Sequence, residues 1–388
     1  MEIRPLTLDD LPAAKHILSH AFGHGTPTEI EPERWMNPKR SRLGAFENGK
    51  LQAVYAIVDY RMFFGRSLHP CGGIAGVASD PAARGRGYAG ALIDRSLEVM
   101  REKGQFLSLL WPFDQRFYRN YGWDWTGYYR TYKAPLSLFK PYSESKDVES
   151  VKDDLGTLFN PIYEKLAIQY NGPLVREQRM WEGKTSPWDN RNPAAYLYQK
   201  DGQPEGYAIV RYTDDKKLIR ASELVATSIS AYKGLLGLLH RHAMTVEQVE
   251  WSAPMDDPLW SIIAHWDIET KLVPAGMGRV VDLQAALSAR KPQPGVNGTA
   301  VIEVEDKHAS WNAGKWQISL EDGNVEVKRS DREPGVRLDI QALTQAYWGT
   351  PSLEDLRKWE RLTVQDEEQF KVLSALLPAS NVWLYDDF

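Results

Sequence analysis

The sequence predicts an α/β chain whose final part is α+β, and three observations predict it. An apolar strand over 73–78 breaks at Asp80-Pro81, a glycine-bearing loop follows, and apolar residues then recur at Ala89, Leu92, Ile93, Leu97 and Met100, which is helical spacing. An apolar run over 106–111 comes next, and a strand, helix, strand order implies a parallel crossover. A second strand and helix follow a hairpin signal over 194–244, and the chain closes with alternating strands and amphipathic helices.

From the amino end, residues 3–6 read as a short strand. A helix is expected from Leu8 onward, with Asp9 and Asp10 in its first turn, where the helix dipole favours acid. Residues 51–60 and 61–64 read as strands ending in a turn near Gly65. The polar stretch 142–147 opens a second unit, with helix-like segments between Val151 and Tyr170. Residues 194–200 and 206–212 flank Asp201-Gly202 as a hairpin. A strand over 221–226 precedes a helix over 230–244. Lys291-Pro-Gln-Pro-Gly295 is a breaker cluster. Strands over 301–306, 315–320 and 325–328 follow, and two or three helices are expected between Ile340 and Leu377. The expected division is 1–137, 138–288 and 289–388.

A chain of 388 residues is long enough for two or three domains. A net charge of −5 argues against nucleic acid as a partner. Cys71 is the single cysteine, so neither an intrachain disulfide nor a cysteine-based zinc site is expected; it reads as a small residue packed on a strand. The first residues lack a basic segment followed by an apolar one, and no apolar run has the length of a membrane span. A soluble, cytoplasmic protein is expected. His240 and His242 face apart on a helix, so no metal is assigned. No G-x-S-x-G elbow supports serine hydrolase chemistry.

The chemistry concentrates at the first strand-to-helix junction. Free N–H groups at a helix start attract phosphate, and glycine lets the phosphate approach. Arg84-Gly85-Arg86-Gly87 therefore reads as a pyrophosphate cradle. Neither the G-x-G-x-x-G nor the G-x-x-x-x-G-K-[ST] spacing is present. The spacing that is present, R-x-x-G-x-A from Arg84 to Ala89, resembles the acetyl-CoA loop of the GNAT acyltransferases. Phe117-Tyr118-Arg-Asn-Tyr121-Gly122-Trp123 resembles a second GNAT segment. The second unit has no such loop. The whole chain resembles the Eis (enhanced intracellular survival) family in its order of units and in Gly172 to Trp181, Gly206-Tyr207, Met277 to Asp282 and Val304 to Trp316.

This resemblance implies tandem GNAT domains followed by an SCP2-like (sterol-carrier-type) α+β domain. It implies an N-acetyltransferase that uses acetyl-CoA, no metal, and a primary amine such as an aminoglycoside, a polyamine or a lysine. A homo-oligomer is implied, with a hexamer as the family's usual form. By the same resemblance Val77, Ala78 and Ser79 align the pantetheine arm, and Arg84, Gly85, Arg86, Gly87, Tyr88 and Ala89 hold the pyrophosphate. Tyr118 protonates the leaving thiolate, with Tyr121 as the substitute. The Phe388 carboxylate removes a proton from the amine; the alternative for this apolar chain end is structural docking. Phe22, His24, Trp35 and Asp387 line the amine pocket, and histidine at 24 weakens the case for strongly polycationic amines. Two other readings stay open: an apolar-ligand carrier or interaction protein responsive to CoA, and transfer of a longer acyl chain or transfer to a protein lysine. A filled core in the third unit favours the enzyme over the carrier.

Overall fold

The computed structural model describes every residue except 24–25, 27–29, 188–190, 216, 293–294, 385 and 387–388. The first sheet opens with β1 (Glu2–Pro5), and α1 (Leu11–Phe22) and α2 (Pro32–Trp35) follow. Helix α1 begins later than expected. Asp10 stands before its first turn, and Arg4 holds the Asp10 carboxylate at 2.8 Å, so no acid lies in that turn. Strands β2 (Arg40–Glu47), β3 (Lys50–Phe64) and β4 (Ser67–Ser79) form an antiparallel meander. Residues 51–64 make one continuous strand instead of two, because its apolar side chains are buried along almost its whole length. Then come α3 (Tyr88–Glu102), β5 (Leu107–Leu110), α4 (Gln115–Asn120) and β6 (Asp124–Trp125). Strand β5 pairs parallel with β4, as the crossover requires.

The next strand, β7 (Tyr128–Pro135), belongs to a second sheet. That sheet continues through β8 (Val148–Val151), α5 (Leu155–Ala167), α6 (Gln178–Thr185), β9 (Ala194–Lys200), β10 (Gln203–Tyr212) and β11 (Leu218–Ala226). It is completed by α7 (Ile229–Arg241), β12 (Gln248–Ala253), α8 (Leu259–Ile262) and β13 (Glu269–Pro274). Its strand order is β13-β7-β12-β11-β10-β9-β8. Strand β14 (Met277–Val280) then returns to the first sheet, whose order is β1-β2-β3-β4-β5-β14-β6. The two units have exchanged strands: β7 lies beside β12, and β14 lies between β5 and β6. Sheet membership therefore changes before β7, ahead of the expected boundary at 137. Main-chain hydrogen bonds across this exchange join the two units far more firmly than side-chain contacts between separate domains would.

The third unit holds α9 (Leu283–Ser288), β15 (Gly298–Glu305), β16 (Gly314–Glu321), β17 (Asn324–Arg329) and β18 (Val336–Asp339). It ends with α10 (Ile340–Trp348), α11 (Leu353–Lys358), β19 (Leu362–Val364) and α12 (Glu367–Leu376). The sheet order is β17-β16-β15-β18-β19. Its interior is packed with Trp316, Tyr347, Trp348 and Phe370 in one apolar cluster that also takes in Met62, Phe64 and Leu107 of the first sheet. A buried ion pair reinforces the join: Arg279 on β14 reaches both carboxylate oxygens of Asp306 at 2.9 Å. Gly122 permits this. It has φ +88°, and a Cβ there would stand 1.7 Å from Arg279 Nη1.

Candidate active site

Strands β4 and β5 pair from Cys71–Leu107 to Ile74–Leu110 and then part. Strand β4 runs on to Ser79, paired on one side with β3 and leaving Ala75 to Ser79 with an edge that β5 does not cover. Val77, Ala78 and Ser79 lie on this stretch. A bulge opposite Tyr55 marks where the strand bends away, and Gly76 accommodates it at φ +62°.

The uncovered edge leads into the cradle. A single 3-10 turn (Pro81–Ala83), capped by Asp80 Oδ1 at 2.9 Å from the Ala82 N–H, precedes Arg84. Gly85 and Gly87 both have positive φ, 77° and 84°, and open space where a Cβ would stand. Glycine is needed here for the backbone turn and not for room. Helix α3 starts at Tyr88 with no side-chain cap. Among the described residues, no backbone or side-chain acceptor meets the N–H groups of Gly85, Arg86, Gly87, Tyr88, Ala89 and Gly90. They stand unpaired at the positive end of a helix of 15 residues, which suits a phosphate. Arg84 is exposed and makes no ion pair among the described residues. Arg86 and the Tyr88 hydroxyl both donate to Glu47 Oε2, so Glu47 orients one side of the cradle. The sequence reading missed Glu47, which lies far from the loop along the chain.

Tyr118, in α4, is buried in the same apolar cluster as Ile74 and Leu110, the last pair before the strands part. Phe113 and Phe117 pack against its ring at 5.4 and 5.0 Å. Its hydroxyl has no partner among the described residues, and burial pushes its pKa well above the usual phenol value. Tyr121 is committed elsewhere. Its hydroxyl lies 2.0 Å from where a Cβ on Gly90 would stand, and its ring packs on His308 at 4.9 Å. Trp123 is fully buried and donates to Ser108 Oγ at 3.3 Å.

A cavity of about 820 Å³ opens between the two sheets. Trp111, the residue after β5, lines it beside Tyr60 on β3, Tyr129 on β7, Arg179 and Lys184 on α6, and Glu223 on β11. The chain end docks next to it. Val382, Trp383 and Leu384 are buried, and the Trp383 N–H donates to Asn171 O at 3.1 Å. Asp386 is buried too. Its carboxylate takes Arg176 Nε at 2.8 Å and the Tyr163 hydroxyl at 3.0 Å, and its carbonyl accepts from Trp111 Nε1 at 2.9 Å. Arg176 also meets Glu223 at 2.8 and 3.0 Å, with Lys184 at 2.9 Å from the same carboxylate. Burial alone would raise the Glu223 pKa, but these two cations outweigh it and hold it at about 2.

Of the expected amine-pocket residues, Trp35 is buried and lines a smaller cavity of about 160 Å³ beside Gly76, with its Nε1 donating to Thr7 O at 2.9 Å. Phe22 is 58% exposed and lines neither cavity, because α1 turns its last residue outward. His24, Asp387 and Phe388 lie outside the described residues. The sequence reading missed Arg40, Tyr60, Tyr129, Arg179 and Lys184. The alternation Arg40-Ser41-Arg42 on one strand was a signal for part of this set, since it puts two arginines on one face. Among the described residues no group of His, Cys, Asp or Glu could hold a metal, and no helix is long and apolar enough to cross a membrane.

Comparison with known proteins agrees with this architecture. Residues 2–126 and 172–280 each match a family described as an acetyltransferase (GNAT) domain, and residues 283–385 match a sterol carrier protein domain. An uncharacterized N-acetyltransferase of Streptomyces avermitilis is 24% identical over 92% of this chain and 91% of its own length. The N-acetyltransferase Eis of Mycobacterium bovis is 28% identical over 56% of this chain, which spans about half (53%) of that relative. Among solved structures, a GCN5-related N-acetyltransferase from Anabaena variabilis superposes with a TM-score of 0.89 at 23% identity, covering all of both chains. Eis1 from Mycobacterium abscessus does so with 0.83 at 22%, also over all of both chains. The first GNAT match stops just before β7, and the second ends with β14, the strand that pairs in the first sheet. With two GNAT units and a sterol-carrier-like third unit, this chain is an Eis-like GNAT acyltransferase.

Proposed function

We propose that the chain transfers acetyl directly from acetyl-CoA to a primary amine bound in the cavity between the two sheets. The observation that carries this reading is the uncovered edge of β4 leading into unpaired N–H groups at the start of α3. An extended pantetheine arm fits the first, and a pyrophosphate fits the second. Residues Val77 to Ser79 align the arm, and Arg84 to Ala89 hold the phosphates. The amine reaches the cavity as an ammonium and must lose a proton before its lone pair is free. Nitrogen then attacks the thioester carbonyl carbon, the C–N bond forms, and collapse of the tetrahedral adduct breaks the C–S bond. Tyr118 gives its proton to the leaving thiolate. Its raised pKa keeps it protonated, and its unpartnered hydroxyl is free to donate.

The Phe388 carboxylate is the proposed base. Support comes from Asp386, fixed beside Trp111 at the mouth of the parting strands. Two further residues reach no more than about 7 Å from it. Asp387, and Trp35 in the smaller cavity, belong to the same reading, as do the division into three units and the implied oligomer. The packed interior of the third unit leaves the carrier alternative without support.

The test is acetyl-CoA turnover with a panel holding an aminoglycoside, a polyamine and a lysine peptide. Tyr118→Phe is expected to lower kcat about 10²-fold, as for loss of one general acid, with acetyl-CoA binding retained. Removal of Phe388 is expected to lower kcat as well. Unchanged turnover after that deletion would reduce the chain end to structural docking. No turnover of any amine, with CoA bound, would defeat the enzyme reading.

A further inference from the structure

The cavity is lined by more positive than negative charge. Lys39, Arg40, Arg179, Lys184 and Arg211 face it, against Asp59, Glu177 and Glu223. All three carboxylates are already paired: Asp59 with Lys103 at 2.7 Å, Glu177 with Lys39, and Glu223 with Arg176 and Lys184. The arginines are not. Arg40 and Arg42, two apart on β2, face the same side as Arg34 from α2, and all three line the smaller cavity. Arg40 lines both cavities, and Arg179 joins it from the other unit. Arg42 is held at 3.1 Å from the Arg34 carbonyl and 4.8 Å above the Trp35 ring. Among the described residues, no carboxylate forms an ion pair with Arg34, Arg40, Arg42 or Arg179. Burial, with repulsion from the other three, lowers the Arg42 pKa to about 10, and the same two causes lower Arg34 and Arg40.

These four mutually repelling guanidinium groups have no carboxylate partner among the described residues, two of them line the acceptor cavity, and the Phe388 and Asp387 carboxylates proposed above would balance two at most, so the wall favours a further anion. We propose that Arg40 and Arg179, with Arg34 and Arg42 adding positive charge behind them, bind an oxyanion on the acceptor itself, so that the acceptor is an amine carrying a carboxylate or phosphate. This rests on the acetyltransferase reading and names the substrate class for that site. Arginine suits the task, since its planar donors match both oxyanions in two-point fashion. A polycationic amine would meet repulsion at the same wall.

The experiment compares matched amines with the full chain: 4-aminobutanoate against 1-aminobutane, and glucosamine 6-phosphate against glucosamine, with kanamycin as the polycation. The anionic member is expected to have a kcat/KM at least about tenfold higher, the size of a charge-assisted contact. The first pair reads carboxylate and the second phosphate. Arg40→Gln combined with Arg179→Gln should erase that preference by raising KM for the anionic member. Equal or better use of the neutral or polycationic amines would overturn the proposal. So would a double variant that weakens acetyl-CoA binding while keeping the anionic preference, since the arginines would then serve the CoA phosphates. Calorimetric titration of the same amines into CoA-loaded protein keeps the two readings apart. Anionic amines bound but not acetylated would defeat the acetyltransferase and leave the arginine site standing. Turnover that favours neutral amines would do the reverse.

Discussion

The first and second sheets have the same plan and opposite fates. Each has a parallel strand pair that parts, a bulge on the longer strand, and an α-helix following it along the chain. In the first, β4 and β5 separate beyond Ile74 and the strand leads through a glycine loop to uncapped N–H groups. In the second, β11 and β12 separate beyond Ala221, with a bulge at Ser222 on β11 opposite Ile209 and Val210 of β10. There the diverging stretch carries Glu223, held by Arg176 and Lys184, which also hold Asp386 of the chain end. The following helix starts two residues after β11, and the Ser228 hydroxyl accepts the Ala231 N–H at 3.1 Å. One unit leaves its sheet opening and helix start unpaired among the described residues, where CoA is proposed to bind. The other fills the opening with an ionic cluster and caps its own helix. A fold alone does not make a CoA site; the local groups left unpaired do.

That contrast can be broken from either side. The largest effect is expected at Arg176, which is fully buried between two carboxylates. Arg176→Met leaves the two with Lys184 as their one remaining cation and should cost about 3–5 kcal/mol of stability, measured by urea unfolding. Acid should undo the same cluster more gently. Glu223 has a folded pKa below its unfolded value, so its contribution is complete above the unfolded pKa of about 4.5 and is lost as pH falls toward about 2. A loss of roughly 3 kcal/mol over that window is expected from a shift of this size, with Trp383 fluorescence reporting release of the chain end. In the first unit, Gly87→Val puts a β-branched residue at φ 84° and should weaken acetyl-CoA binding about tenfold or more by calorimetry, from strain of about 1–2 kcal/mol. The smallest effect is expected at the matching place in the second unit. Ser228→Ala should cost about 1 kcal/mol of stability and leave acetyl-CoA affinity unchanged. If Ser228→Ala did alter that affinity, the division of labour between the sheets would be wrong.

The sequence by itself determined the features that rest on neighbours along the chain. The strand end, the two glycines and the helix start around Arg84 to Ala89 were legible because they are contiguous and their backbone demands are local. The hairpin over 194–212 and the crossover from β4 to β5 were legible for the same reason, through alternation, turn residues and helical spacing. So was the apolar chain end, which had to dock somewhere.

Only the tertiary structure decided what depends on distant segments. It placed β7 in the second sheet and β14 in the first, which no local pattern encodes, since a strand's periodicity names its faces and not its partner. It brought Glu47 to the cradle, turned Phe22 out to solvent, and gathered Arg176, Glu223 and Asp386 from three separated stretches into one dry cluster. It also set Arg34, Arg40 and Arg42 of the first unit against Arg179 of the second. Charges so far apart in sequence come to act as one site only when packing fixes the distance between them, because electrostatic coupling falls with separation and with water between the groups.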